Sequence, residues 1–149
     1  MHVNLENVSI PVSDVDKSVE FYVDRLGWRL DADIKTENLR VVQVTPTGAG
    51  HVAIAFGRGI PQGEPGSIHH LELVTTDIVA TQQELVDRGV DVTEVYHGPG
   101  SPFFPQARIP GPDPDRESYN SYASFQDPDG NGWTLQEITT RKPGREPRE

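Results

Sequence analysis

The sequence predicts an α+β protein built from two βαβββ modules, and three observations carry that expectation. The chain repeats itself: Asn7-x-x-Ile10-x-Val12-x-Asp14 returns as His70-x-x-Leu73-x-Thr75-x-Asp77 with the same offsets. Further on, Val23-Asp24-Arg25-Leu26-Gly27 is echoed by Val86-Asp87-Arg88-Gly89, one residue shorter. Between these marks each half switches from the alternation of a strand to the period of a helix.

Each element can be justified in order. The first segment of each half alternates as a strand with one covered face does, and Asp14 and Asp77 stand at the helix N-cap position. In the first helix Val15, Val19, Tyr22, Val23 and Leu26 fall on one apolar stripe, and Gly27 ends it. The second helix offers Ile78, Leu85 and Val86 for burial, with Gly89 placed for a left-handed C-terminal cap. Short β-like runs follow at 28–34, 39–45 and 52–56, then at 92–96, 122–126 and 133–138. The stretch 57–66, with two Pro and four Gly, reads as a linker between module one (3–57) and module two (67–139). Residues 97–120 hold six of the thirteen prolines and no alternation, which predicts an irregular loop of a length often tied to function.

Composition narrows the class. A chain of 149 residues, 34% hydrophobic and 24% charged, suits one globular domain, here 1–139, with 140–149 as a disordered tail. Without cysteine there is neither a disulfide framework nor a thiolate metal site, which favours a reducing compartment and hence the cytoplasm. No signal-peptide pattern or membrane-length apolar run is present. A net charge of −10 argues against a nucleic-acid partner, whose phosphates need Lys and Arg. Phosphate loops, nucleophile elbows and Gly-x-Gly-x-x-Gly runs are missing too, so no nucleotide cofactor is expected.

The Asn7–Asp14 strand-to-helix start, Phe21-Tyr22, Leu26-Gly27-Trp28, the repeat at His70–Asp77 and the turn Asp127-Pro128-Asp129-Gly130-Asn131 occur in this order from about residue 5 to 139. In this the chain resembles the vicinal-oxygen-chelate superfamily, which includes glyoxalases, bleomycin-resistance proteins and extradiol dioxygenases. The resemblance implies a cupped, barrel-like mixed sheet with the helices outside, and a homodimer. It also implies four inward positions that hold a divalent metal in the family's enzymes, one on the first and one on the last strand of each module. Here they fall on Asn7, on Ala53 or Ala55, on His70 and on Thr134. Only His70 is a family-like ligand. No cofactor is expected on this set, although His70 and Glu72, on one face of a strand, would serve a non-standard divalent site.

With no metal, the inward residues Asn7, Ser9, His70, Glu72, Thr134 and Gln136 make a polar lining of the kind a ligand site needs. Further ligand contacts are expected from the loop and its neighbours: His97, Phe103, Phe104, Arg108 and Tyr122. Arg108 is placed to meet a ligand carboxylate or to form a surface salt bridge. His69, facing the helix, reads as structural, His51 as a surface residue, and the Asp-Pro-Asp-Gly run as a tight turn.

Two functions compete. One is a metal-independent protein binding an aromatic or apolar metabolite or antibiotic. The alternative is a lyase, isomerase or dioxygenase in which His70 is a general base oriented by Glu72, with or without a metal.

Overall fold

The computed structural model describes residues 1–146. The expected disordered tail, 140–149, falls partly on 147–149, outside the described residues. Two compact units emerge. The first is Met1–His69 with Gln126–Gly132, and the second is His70–Phe125 with the chain from Trp133 onward.

The first unit contains β1 (Asn7–Ser9), α1 (Val15–Val19), a π-helical segment (Glu20–Arg25), β2 (Arg29–Lys35), β3 (Arg40–Thr45) and β4 (Ala53–Arg58). Its sheet runs β1-β4-β3-β2, with β1 parallel to β4 and the other pairs antiparallel. Asp14 caps α1 as expected, its carboxylate accepting from the Lys17 N–H at 3.2 Å.

The apolar stripe differs from the predicted one. Leu26 N–H donates to the Phe21 carbonyl five residues back, so the last turn is wider than an α-turn and its faces rotate. Val15, Ser18, Phe21, Tyr22 and Leu26 are buried, while Val19 and Val23 are only half-buried. Tyr22 then packs against Phe56 and Trp28, with ring centroids 5.6 and 5.2 Å away. Along β4 the structure begins at Ala53 and leaves Val52 exposed, so Ile54 and Phe56 alone supply the side chains sent toward the helix.

The second unit contains β5 (Leu71–Thr75), α2 (Ile78–Asp87), β6 (Tyr96–His97), a 3-10 turn (Pro105–Ala107), β7 (Ile109–Pro110), β8 (Ser121–Gln126) and β9 (Gly132–Glu137). The sheet order is β5-β9-β8-β6-β7, with β5 parallel to β9. Ile78, Val95, Ala123 and Leu135 form the core beneath α2, with Leu73, Leu85 and Val92 against it. Trp133 and Leu135 are buried.

Val86, expected inside, is 45% exposed. Ile78, Gln82 and Leu85 define the buried stripe instead, because Gln82 reaches the Thr93 carbonyl at 3.1 Å and holds the helix at that rotation.

The strand expected at 92–96 shrinks to Tyr96–His97. Val92 and Val95 both turn to the core, a spacing of three that a pleated strand cannot deliver to one face. Residues 97–120 are likewise more regular than predicted: His97 continues β6, and Pro105–Ala107 and β7 follow.

Gly89 has φ +79 and ends α2, with open space where a Cβ would stand. Gly89→Ala is therefore expected to cost about 1 kcal/mol through backbone strain alone, measured by urea unfolding, with Gly89→Asn costing less. Among the described residues no helix is long and apolar enough to cross a membrane.

Candidate functional site

The sheet of the second unit has one face committed to α2, and the residues of interest stand on the other. The parallel register pairs Glu72 with Thr134 and Val74 with Gln136, so these four share the face opposite the core. Glu137 has the other parity. It is 1% exposed, accepts from the Ile78 N–H at 2.8 Å and takes the Arg116 guanidinium at 2.9 and 2.5 Å. The Arg116 hydrogen bond holds its carboxyl below the usual carboxylate value against the opposing effect of burial. Glu137 is thus a helix anchor, not a site residue.

His70 immediately precedes β5. Its Nδ1 lies 3.3 Å from Thr134 Oγ1, and its ring centroid is 4.7 Å from that of Phe103. Among the described residues no hydrogen bond joins His70 to Glu72, which is exposed on the same face. The structure thus brings together His70, Thr134 and Phe103, and it leaves the expected His70–Glu72 contact unmade.

A second cluster lies on β6, β8 and β9. Tyr122 is buried and stacks on Tyr96, centroids 5.7 Å apart. Its hydroxyl donates to the Tyr119 carbonyl at 2.6 Å, and Gln136 Nε2 donates to the same oxygen at 3.0 Å. Burial pushes the Tyr122 phenol above its ordinary value. Gln136 opposes that shift by hydrogen bonding, and the Glu72 charge adds to it.

The Arg108 guanidinium sits 4.2 Å above the Tyr96 ring and donates to the carbonyls of Ser101 and Pro102 at 3.1 and 3.4 Å. Its fork thus ties the Phe103 turn to β6. His97 Nδ1 contacts the Gly111 carbonyl at 2.7 Å, a clasp inside the loop. Phe103 and Phe104 are 62% and 55% exposed, so they present free aromatic surface.

Tyr96 was missed as a site residue. With Val92 and Val95 both in the core, the run 92–96 has no alternation from which its face could be read.

Asn7 and Ser9 belong to the first unit. They are exposed on β1, in parallel register with Ala53 and Ala55. A cavity of about 480 Å³ in that unit is lined by residues including Val12, Lys35, Arg40, Arg58 and Gln62, and by none of the candidate site residues. His51 is exposed, as expected, whereas the His69 side chain, expected to face the helix, is exposed as well, and only its backbone carbonyl lies close to Gly132. Asp127–Asn131 is a hydrogen-bonded turn, with Gly130 N–H on the Asp127 carbonyl at 3.0 Å.

The four positions that the family's enzymes use for a metal do not fit one here. Ala53 and Ala55 have no donor atom, Asn7 and Thr134 are neutral, and His70 is the single imidazole. Among the described residues no three His, Asp or Glu side chains gather as a metal group would require.

The sequence profile of the Glyoxalase/Bleomycin resistance protein/Dioxygenase superfamily matches residues 2–135. The chain belongs to this superfamily. Solved members agree with the fold. TnmS3, an antibiotic binding protein from Streptomyces sp. CB03234, shares 31% identity at a TM-score of 0.68, over 93% of this chain and 98% of its own. A glyoxalase/bleomycin resistance protein from the same organism shares 32% identity at a TM-score of 0.64, over 90% of this chain and 100% of that one. A superfamily member from Sphaerobacter thermophilus DSM 20745 shares 29% identity at a TM-score of 0.62, over 91% of this chain and 98% of that one. No curated protein sequence matches the chain. One fold can serve unrelated functions, so the functional reading rests on the site.

Proposed function

We propose that this superfamily member binds an aromatic or largely apolar metabolite or antibiotic without a metal, on the face of the second unit opposite α2. The observation that carries this reading is the pairing of two aromatic contacts on that face, Tyr96 on Tyr122 and Phe103 on His70. Planar rings recognise planar ligands by offset stacking, worth about 0.5–1.5 kcal/mol per contact beyond area burial. The few polar groups among them, Glu72, Thr134 and Gln136, orient a ligand, as in most small-molecule sites. The similarity to an antibiotic binding protein supports the same reading.

The enzymatic alternative needs His70 as a base oriented by Glu72. The Nδ1 contact goes to Thr134, so the carboxylate that this alternative requires as the orienting partner is not paired with the imidazole. Asn7, Ser9, His97, Phe104 and Arg108 remain proposed ligand or lining residues, the last acting through the Phe103 turn. We further propose one domain over 1–139, a cytoplasmic location consistent with the absence of cysteine, and a homodimer. Leu30 and Ile34, 44% and 57% exposed on the edge strand β2, give a second copy apolar surface to cover.

A thermal-shift screen of planar aromatic antibiotics and metabolites tests the reading, since a ligand that binds only the folded state raises Tm. For a compound that does so, Phe103→Ala is expected to weaken binding about tenfold by calorimetry, as loss of one stacked anchor does. A compound turned over by the wild type but not by His70→Ala and Glu72→Ala would establish the enzymatic alternative instead.

A further inference from the structure

The carbonyl of Tyr119 fixes what the candidate site can offer a ligand. A carbonyl oxygen only accepts, so the Tyr122 hydroxyl must spend its one proton on it, and the nitrogen side of the Gln136 amide must face it. Beyond the Gln136 amide beside it, Tyr122 Oη has only acceptor capacity to offer a ligand, and Gln136 keeps its Oε1 as an acceptor. The Glu72 carboxylate, on the same face by strand register, adds acceptors only.

Tyr119 itself is held in an unusual state. Its φ is +73, a left-handed conformation that costs a non-glycine residue about 1–2 kcal/mol. Contacts on both sides impose it. The Tyr119 N–H donates to the Glu137 carbonyl at 2.8 Å, and Ser118 Oγ accepts from Thr139 and Thr140 N–H at 2.7 and 2.9 Å. The Tyr119 hydroxyl accepts from Lys142 N–H at 3.1 Å, with the Lys142 ammonium 5.0 Å from the ring centroid.

We propose that Tyr119 is a positioning residue whose left-handed backbone makes Tyr122 and Gln136 hydrogen-bond acceptors, so that the site selects aromatic ligands bearing a hydroxyl or amino donor over those without one. This rests on the aromatic-binding reading and adds its polar selectivity. A site built to satisfy a donor rejects the analogue that lacks it, because buried acceptors are left unpaired.

The test compares 2-naphthol with 2-methoxynaphthalene by calorimetry at neutral pH, where both are uncharged and the donor O–H of the first is an O–CH3 in the second, so that the change of the ratio in Tyr122→Phe separates the lost donor from the added methyl. The wild type is expected to bind the naphthol at least tenfold more tightly. That ratio falls at least threefold in Tyr122→Phe and in Tyr119→Val, whose branched side chain resists positive φ, and it persists in Tyr119→Asn, which tolerates it. A purely structural role for Tyr119 would shift both affinities together and leave the ratio unchanged. Should Tyr119→Val fail to fold, Tyr122→Phe decides. Equal wild-type affinities would overturn donor selection while sparing the aromatic-binding reading, and binding of neither naphthalene would overturn both.

Discussion

Asp127→Ala is expected to lower stability by about 4 kcal/mol, the largest single loss among the positions described. Asp127 is 5% exposed and serves four donors within the first unit. Oδ1 accepts from the N–H groups of Asp129 and Asn131, both at 2.9 Å, and Oδ2 accepts from Tyr22 Oη and Asn131 Nδ2, both at 2.8 Å. Tyr22 and Asn131 are fully buried, so neither recovers a water when the carboxylate is removed. An orphaned buried donor costs about 1–3 kcal/mol, and the turn loses its internal support at the same time.

Asp127→Asn keeps one acceptor for the backbone N–H groups but sets an amide nitrogen against Tyr22 and Asn131. An intermediate loss of about 2 kcal/mol is expected, measured by urea unfolding at constant pH. If both variants unfold at the wild-type midpoint, Asp127 is not the hub of that turn.

The second large effect is expected at Glu137, and pH reveals it. Removing the carboxylate leaves the Ile78 N–H at the start of α2 without a partner, whereas Arg116, half-exposed, keeps Asp77 at 3.5 Å and can rehydrate. Glu137→Ala is therefore expected to cost about 3 kcal/mol, most of it from the helix end.

The sign of the pH dependence follows from the lowered folded-state pKa of Glu137. The native state releases this proton more readily than the unfolded chain. The contribution is thus fully present above the ordinary value of 4.5 and is lost as pH falls through the lower folded value. Unfolding free energies of the wild type and Glu137→Gln, followed from pH 6 to pH 3, should converge as the pH falls. A constant difference would mean that the residue acts by shape and not by charge.

The same residues show how far the sequence carries. Asp14 and Asp77 as helix caps, Gly27 as a helix end, Gly89 as a left-handed one, and the two βαβββ modules were legible because each depends on local chemistry or a short period.

Where a prediction depended on geometry set by contacts far along the chain, it shifted. The π-turn at Phe21–Leu26 rotated the first helix, and Gln82 reaching Thr93 fixed the second, leaving Val86 outside. Arg108 reads in sequence as a loop cation for a ligand carboxylate or a surface salt bridge. Only folding lays it over Tyr96, because the loop returns beside β6 as β7.

What the sequence by itself determined, then, is the duplicated scaffold, since it is fixed by residue types repeated at counted positions. Only the tertiary structure decided which side chains meet. His70 takes Thr134 and Phe103 in place of Glu72, and Tyr122 and Gln136 converge on one carbonyl. These partners come from different strands and from a loop rich in proline, and no local periodicity encodes the register that joins them.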